Sequence, residues 1–209
     1  MKKVNLISGI LVAAILVMAS VGTITTITTI QSAHAQAASK KVFGFGGGVD
    51  DRKAPIATSG NNVYVTWWTN KSGDSEVMFK ASNDGGKTFG SKINLSNSPG
   101  IRSDNAEIAA SGNNVYVSWW ERANQTSNEP VMKVSNDNGK TFGEKMNLSN
   151  THEDDSINAD IAAEGSKVLV SWWERSQTDN IPVMRISMDN GKTFGPILKL
   201  ATNGTIGGG

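Results

Sequence analysis

Acidic and arginine side chains stand close together at recurring positions of this chain, a grouping that can bind or cleave a sugar. Two Glu-Arg pairs each follow a pair of tryptophans, and further Arg and Asp residues lie in the loops between repeated units. Paired carboxylates beside arginines can serve glycan hydrolysis or simple sugar binding. The alternative is that they are solvated loop charges and local Glu-Arg pairs, which contribute little. The candidate site residues are Arg102, Asp104, Glu121, Arg122, Asp155, Glu174 and Arg175.

The elements that must position these residues are repeated along the chain. A nine-residue phrase, S-x-D-x-G-K-T-F-G, occurs three times, and its aspartates at positions 84, 137 and 189 are 53 and 52 residues apart. A period of about 50 residues with a fixed turn signature indicates a stack of similar small sheets, one per repeat. The phrase residues to which we assign a structural role are Ser82, Asp84, Gly86, Thr88, Phe89, Ser135, Asp137, Gly139, Thr141, Phe142, Ser187, Asp189, Gly191, Thr193 and Phe194.

Each repeat contains four short segments of β type, separated by Gly, Asn and Asp turns. The segment 115–120 is apolar on both faces, as a strand is when its sheet is covered on both sides. We therefore interpret the pairs Trp67-Trp68, Trp119-Trp120 and Trp172-Trp173 as packing between neighbouring sheets, with a ligand-stacking platform as the alternative. In the second repeat the predicted strands are Ala106–Ser111, Asn114–Glu121, Val131–Asn136 and Glu144–Leu148.

The repeated phrase has the residues of a hairpin turn between the third and fourth strands of each unit. Its Asp can accept hydrogen bonds from backbone N–H groups of the same turn. Its Gly supplies backbone angles that other residues avoid. Its Phe is predicted to fold back beneath the turn, and its hydroxyl residues to close the loop. A calcium loop would need alternating oxygen ligands and a distal Glu that the phrase lacks, so we expect no metal.

The phrase resembles the Asp-box, or bacterial neuraminidase repeat, of sialidases and related β-propellers. Ser, Asp, Gly, Thr and an aromatic residue stand at the family positions in all three copies, and the resemblance extends over residues 42–203. It implies an all-β fold of the β-propeller type with three four-stranded blades, as a half-propeller or an open arc. In that family the box joins the outer two strands of each blade, far from the active site, and it also occurs in propellers without sialidase activity.

The resemblance allows the enzyme hypothesis to be tested on particular residues. Sialidases of the family use an arginine triad, a Tyr nucleophile with a Glu partner, an Asp acid/base and a Phe/Tyr-Arg-Ile-Pro motif. This chain lacks that tetrapeptide, and its residues 52–55, Arg-Lys-Ala-Pro, resemble it only weakly. Tyr64 and Tyr116 occupy equivalent repeat positions at which the third repeat has Leu169, which favours a role in the core. We therefore assign no catalytic residue, and binding is favoured over catalysis.

Three repeats are fewer than the roughly four to eight blades with which propellers close. The first and last sheets of such an arc would expose apolar faces, which are rarely left in contact with water. We expect either a homodimer that completes a six-blade ring or a longer protein of which this chain is a part.

The N-terminus is typical of an export signal, because Lys2 and Lys3 precede an uncharged stretch that ends in the small-x-small site Ala33-His34-Ala35. If it is not cleaved, this segment would anchor the chain in a membrane. We divide the chain into a signal peptide (1–35), a linker with a first strand (36–49), the three-repeat module (50–203) and a flexible tail (204–209). The module is predicted to be secreted or held at the cell surface.

Composition argues against several other function classes. Without residues 1–35 the chain has 18 basic and 19 acidic side chains and no basic patch, so nucleic acid is not an expected partner. It has no cysteine, and its one remaining histidine, His152, argues against a Ser-His-Asp triad or a multi-His zinc site. We expect no cofactor. Sequons that are consistent with a glycoprotein occur at Asn70, Asn94, Asn124, Asn147 and Asn203.

These features together predict an exported, sialidase-like β-propeller module that binds a glycan or a protein, or serves as a surface component. The alternative is an exo-sialidase-like glycoside hydrolase that is active only in a completed six-blade ring. A third class is a purely structural protein of the cell envelope.

Overall fold

The computed structural model describes residues 53–71, 73–122, 127–149, 155–175 and 180–200. The predicted signal peptide, linker and tail lie outside the described residues. Within them the chain forms three four-stranded antiparallel sheets and no helix, so the prediction of an all-β chain with one sheet per repeat is confirmed. No described segment is a helix long and apolar enough to cross a membrane.

The strands of each sheet follow one another in chain order, each pairing with the next. The first sheet contains β1 (Ile56–Ser59), β2 (Asn62–Thr69), β3 (Glu76–Ser82) and β4 (Ile93–Asn94). The middle sheet contains β5 (Ser103–Ser111), β6 (Asn114–Arg122), β7 (Asn128–Ser135) and β8 (Met146–Asn147). The third sheet contains β9 (Asp155–Glu164), β10 (Lys167–Arg175), β11 (Asn180–Ser187) and β12 (Leu198–Lys199).

The strand boundaries of the middle sheet differ from the prediction in a way that matters for the candidate site. Strand β5 begins at Ser103 instead of Ala106, because pairing with β6 resumes beyond an irregularity between Asp104 and Glu107. Asn105 within this irregularity has a φ of 51°, which Asn tolerates better than most residues. The strand therefore continues into the loop where candidate site residues were expected.

Equivalent residues give each sheet two equivalent faces. We call the front face the one that carries, in the middle sheet, Ile108 of β5 with Val117 and Trp119 of β6. The back face carries the alternate residues of β6, among them Tyr116 and Trp120. Because successive side chains of a strand point to opposite faces, the same assignment holds at equivalent positions of the other two sheets.

Two hydrophobic cores join the three sheets into a stack. In the first core the back face of the first sheet, with Tyr64 and Phe79, packs on the front face of the middle sheet, with Trp119. In the second core the back face of the middle sheet, with Tyr116, packs on the front face of the third sheet, with Trp172. The middle sheet is thus covered on both faces, as the apolar pattern of residues 115–120 predicted.

The tryptophans show where this stack is closed and where it is open. Trp119 and Trp172, on the two front faces that meet a neighbour, are fully buried, which confirms the packing interpretation for them. Trp68 and Trp120 are half-buried against the two cores. Trp173, on the back of the third sheet, is 42% exposed, because no described sheet lies beyond it.

Candidate functional site

The repeated turn, by which we mean residues 82–90, 135–143 and 187–195, is held by its own side chains. In the middle sheet the Asp137 carboxylate accepts hydrogen bonds from the Ser135 hydroxyl (2.7 Å) and from the backbone N–H (2.9 Å) and hydroxyl (2.5 Å) of Thr141. The Ser135 hydroxyl oxygen in turn accepts from the backbone N–H of Gly139 at 2.9 Å. The other two copies repeat these bonds, so the predicted roles of the Asp and hydroxyl residues are confirmed.

These bonds keep the turn aspartates ionised. Hydrogen bonds from the Thr88 hydroxyl and then the Thr88 backbone lower the pKa of Asp84 to about 2. The same bonds from Thr141 lower the pKa of Asp137 to about 2, and the pKa of Asp189 is likewise depressed. An exposed carboxylate that is ionised and occupied by donors of its own turn is poorly suited to act as a general acid, so the turn is a structural device.

The turn also reaches the sheet in front of it, which the sequence did not predict. The Phe142 ring packs edge-on against Phe79 of the first sheet, with ring centroids 4.9 Å apart. Phe194 joins the second core, and the Arg185 guanidinium lies 5.9 Å from its ring centroid. Phe89, whose sheet has no described neighbour in front, is 40% exposed.

An amide pair adds a polar link between neighbouring sheets. The Asn62 side chain donates to the side-chain oxygen of Asn138 at 3.2 Å, and Asn114 donates to Asn190 at 3.1 Å. Asn138 and Asn190 adopt φ values of 62° and 61°, the left-handed conformation required by the turn. The second x of the phrase, between its Asp and its Gly, had no role assigned from the sequence pattern. In the second and third copies the residue at this position couples one repeat to the next.

All seven candidate site residues lie at the other end of the sheets, which we call the rim. At the rim β5 and β9 begin and β6 and β10 end, whereas the repeated turns follow the ends of β7 and β11 at the opposite edge. The rims of neighbouring sheets meet, because the backbone N–H of Ser103 donates to the Ser75 carbonyl (2.9 Å) and that of Asn128 donates to Asp155 (2.9 Å). These bonds bring the rim ends of the middle and third sheets side by side.

The two candidate glutamates each hold a buried indole. The Trp119 indole N–H donates to Glu121 at 3.2 Å, and the Trp172 indole N–H donates to Glu174 at 2.5 Å. The Glu121 carboxylate also forms an ion pair with Lys145, which the sequence analysis did not single out. The side chains that contact these two glutamates include Trp, Ser and Lys residues, whereas the sequence suggested pairing with the adjacent arginines.

The two candidate aspartates are also engaged. Asp104 is buried and forms an ion pair with Arg102. Asp155 accepts from the Asn128 side chain at 2.7 Å and lies 4.0 Å from the Arg175 guanidinium. The carboxylates of Asp104 and Asp155 thus stabilise the strand ends, and each lies beside an arginine whose side chain faces solvent.

The arginines are the exposed members of this group. The side chains of Arg102 and Arg175 are 57% and 52% exposed, and Arg122 is exposed as well. They follow one another along the rim, because the Arg122 backbone N–H donates to the Arg102 carbonyl (3.0 Å) and Arg122 pairs with Asn128, the partner of Asp155. The rim of the middle and third sheets therefore carries three exposed arginines at adjoining strand ends.

Two buried glutamates near the rim were missed by the sequence analysis. Glu76 accepts from the Ser96 hydroxyl and the Ser98 backbone N–H (3.2 Å), and Glu129 accepts from the Ser149 hydroxyl. Each ties the loop after the fourth strand to the start of the third strand of its sheet. The equivalent residue in the third sheet is Ile181, so the function of this pair is local closure of two loops.

A shallow cleft of about 690 Å³ opens on the front of the first sheet. It is lined by Lys53, Ala54, Trp67, Trp68, Thr69, Lys71, Met78 and Lys92. Among the residues that the structure describes, no group of three or more His, Asp or Glu side chains could hold a metal ion.

The fold is similar to that of known proteins at low sequence identity. A protein of unknown function from Dyadobacter fermentans matches with a TM-score of 0.51 and 15% identity, over 68% of this chain and 39% of that one. A polysaccharide lyase, an ulvan lyase solved bound to -[GlcA(1-4)Rha3S]-, matches with a TM-score of 0.52 and 14% identity, over 73% of this chain and 44% of that one. A sialidase from Trypanosoma rangeli superposes with a TM-score of 0.48 and 18% identity, over 68% of this chain and 29% of that one.

This chain therefore spans less than half the length of these structures. No protein-family model and no curated protein sequence matches it.

Proposed function

We propose that this chain is an exported β-propeller-type module that binds an acidic glycan along the rim of its middle and third sheets. The observation that carries the proposal is the exposure of Arg102, Arg122 and Arg175 at this rim. Their guanidinium groups face solvent, whereas the nearby side chains of Asp104, Glu121 and Asp155 are 8%, 7% and 24% exposed. A ligand that approaches this rim meets cations first, and carboxylate or sulfate groups accept bidentate hydrogen bonds from Arg.

The propeller assignment is supported by the repeat and by the way the sheets pack. Each repeat is one four-stranded antiparallel sheet, and each sheet packs face to face on the next, which is how the blades of a propeller are arranged. The resemblance of the repeated turn to the Asp-box points to the sialidase-like propellers. The ulvan lyase of similar fold was solved with a uronic-acid polysaccharide, and we carry its ligand class, an acidic glycan, over to this chain.

Export is part of the same proposal. It rests on Lys2, Lys3 and the uncharged stretch that follows them. Secretion or display at the cell surface would bring the rim into contact with extracellular polysaccharide.

Catalysis is the second candidate, and the rim geometry favours binding over it. A sialidase-like or other glycoside hydrolase needs an acid and a base or nucleophile directed at the substrate. Glu121 and Glu174 are occupied by indole N–H groups, and Asp155 by Asn128. Tyr64 and Tyr116 are fully buried in the two cores, so neither is accessible to a substrate as a nucleophile would have to be.

The test is binding of two oligosaccharides that differ only in charge, measured by titration calorimetry. One carries a uronic acid and a sulfate, and the other is its neutral counterpart. We expect the acidic sugar to bind and the neutral one to bind at least tenfold more weakly. Arg122→Ala and Arg175→Ala should each weaken binding of the acidic sugar about tenfold, which is the effect of losing one charge-assisted hydrogen bond.

Lys140→Ala is the matched control, because Lys140 is an exposed cation in the repeated turn at the opposite end of the sheet. Equal binding of both sugars, or equal effects of the Arg and Lys substitutions, would contradict the proposal. Turnover of either sugar, or release of a fluorogenic phenol from a sialoside, would favour the enzyme.

A further inference from the structure

The two ends of the three-sheet stack are apolar and differ in kind. The free end of the first sheet is a front face, and the free end of the third sheet is a back face. Ile56 on the free front is 60% exposed, whereas its equivalents on the covered fronts, Ile108 and Ile161, are 8% and 9% exposed. The apolar pattern of a covered face is thus present on the first sheet without a described cover.

The free back face has the same relation to the covered back faces. Ala57 and Ala109 are buried beneath the next sheet, but their equivalent Ala162 is exposed. Trp173 is likewise more exposed than Trp68 and Trp120. Both free faces are therefore built from the residues that form the internal interfaces.

Every internal interface of the stack joins a back face to a front face. Since one free face is a back and the other is a front, a second copy can cover the third sheet with its own first sheet in the geometry that the chain already uses twice. A contact between two fronts or two backs would repeat no packing seen within the chain.

The residues that differ at the free faces are changed in complementary ways. At the internal interfaces Asn62 or Asn114 donates to an Asn in the repeated turn of the next sheet. At the free faces the donor position is Lys167 and the turn position is Gly85. Lys167 thus has a longer donor side chain than the Asn that it replaces, and the facing turn position, Gly85, has no side chain to accept its hydrogen bond. The backbone carbonyl groups of that turn can act as the acceptors instead.

The charges of the two free faces are also complementary. The front of the first sheet carries Lys80, which pairs with Val65 on that face, and Lys92 beside Trp67. The back of the third sheet carries the exposed Asp160 and Glu164, and also Lys167 as the strand partner of Glu164. Opposite charges on the two faces favour contact of unlike faces and oppose contact of like faces.

We propose that a second copy of this chain covers both free faces, the back of each third sheet meeting the front of the partner's first sheet. Two copies joined head to tail in this way have six sheets and two identical interfaces, and six lies within the roughly four to eight blades of closed propellers. The proposal is independent of the proposed ligand, because it rests on the faces of the sheets and not on the rim.

The test is sedimentation equilibrium of the purified full chain and of two face variants. The unmodified chain should sediment at twice the polypeptide mass. Trp67→Glu on the front and Trp173→Glu on the back should each weaken the dimer roughly thirtyfold or more, as loss of a central Trp anchor does. Met188→Glu is the matched control, because this exposed apolar residue lies in a turn position that is exposed in all three repeats.

A mixture of the two face variants decides the orientation. Head-to-tail pairing leaves one interface of the mixed dimer unaltered, so mixing Trp67→Glu with Trp173→Glu should restore a dimer that neither variant forms alone. Ile56→Glu replaces an exposed side chain and should act like Trp67→Glu, which separates loss of the interface from misfolding. A monomer at about 100 µM, a concentration at which a dimer of micromolar Kd would be mostly associated, would overturn the proposal. So would a larger ring, or a dimer broken by only one face variant.

Discussion

The glycines of the repeated turn offer a direct measurement of how one sheet packs on the next. A Cβ atom at Gly139 would lie 2.6 Å from the Phe79 Cζ atom, well inside the contact distance of two carbon atoms. At Gly191 it would lie 3.0 Å from Tyr116, and at Gly86 its nearest neighbour would be Val63 at 3.7 Å. The three glycines have similar φ values of 75°, 76° and 87°, so Ala substitution meets the same backbone strain with three different neighbours.

The expected losses of unfolding free energy follow from these two terms. Left-handed backbone costs a residue with a Cβ about 1–2 kcal/mol, which should be the whole loss for Gly86→Ala. Insertion of a methyl group into a filled interface adds about 1–3 kcal/mol, so Gly139→Ala should lose about 2–5 kcal/mol. Gly191→Ala should fall between them, since its contacts to Tyr116 and Val134 (3.2 Å) are tight but less severe.

Urea unfolding monitored by circular dichroism, at submicromolar protein, measures these losses. The urea midpoint should be highest for Gly86→Ala, lower for Gly191→Ala and lowest for Gly139→Ala. An unchanged slope of the unfolding free energy against urea concentration shows that the folded and unfolded states stay comparable. Equal losses for Gly86→Ala and Gly139→Ala would refute the contact between the turn of the middle sheet and the first sheet. In a Phe79→Leu background, Gly139→Ala should cost less and Gly86→Ala the same as before.

Two further results are expected. The pKa of Asp137 is about 2 in the folded state, below the ordinary value of 3.8 for an aspartate. Its ionised form therefore stabilises the fold above about pH 4, and that contribution is lost as the pH falls toward 2. The melting temperature of Asp137→Asn should approach that of the unmodified chain between pH 5 and pH 2, and a constant difference would contradict this. Trp119→Phe should lower the free energy of unfolding by about 2–3 kcal/mol, because it opens a cavity in a fully buried position and removes the indole N–H from Glu121. Trp67→Phe on the free front should lower it by less than about 1 kcal/mol in the dilute monomer. Equal losses would mean that the front of the first sheet is covered.

The fold was predictable from the sequence because its signals are local. The Ser, Asp and Thr of the repeated turn bond only to one another and to the backbone of the turn, so three copies of the phrase specify three hairpins. The two-sided apolar pattern of residues 115–120 then required a cover on each face of the middle sheet, which the two cores supply.

The contacts between repeats were not predictable in the same way. Phe142 packs against Phe79, which belongs to another sheet. The residue pattern within one repeat does not indicate how far apart residues of two different repeats lie. The role of Asn138 was hidden for the same reason, because its partner Asn62 belongs to a different repeat.

The seven candidate residues lie at one rim, and the side-chain pairing that the sequence suggested for Glu121 differs from the structure. Alternation of loop and strand placed the seven residues at one rim, but Glu121 and Arg122 are neighbours in sequence and point to opposite faces of β6. Glu121 therefore bonds to Trp119 on its own face, while Arg122 remains exposed. Strand alternation separates adjacent residues that composition alone would pair.

The stacking of each sheet on its immediate neighbour has a consequence for how the molecule opens. The middle sheet is held by two interfaces and each terminal sheet by one, so stability is distributed as in a one-dimensional array of coupled units. In the monomer a terminal sheet can come away at the cost of a single interface, whereas the amide hydrogens of β6 exchange with solvent only when both interfaces have been lost. A ring has no terminal unit, and closure would therefore make the exchange of all the sheets more nearly alike.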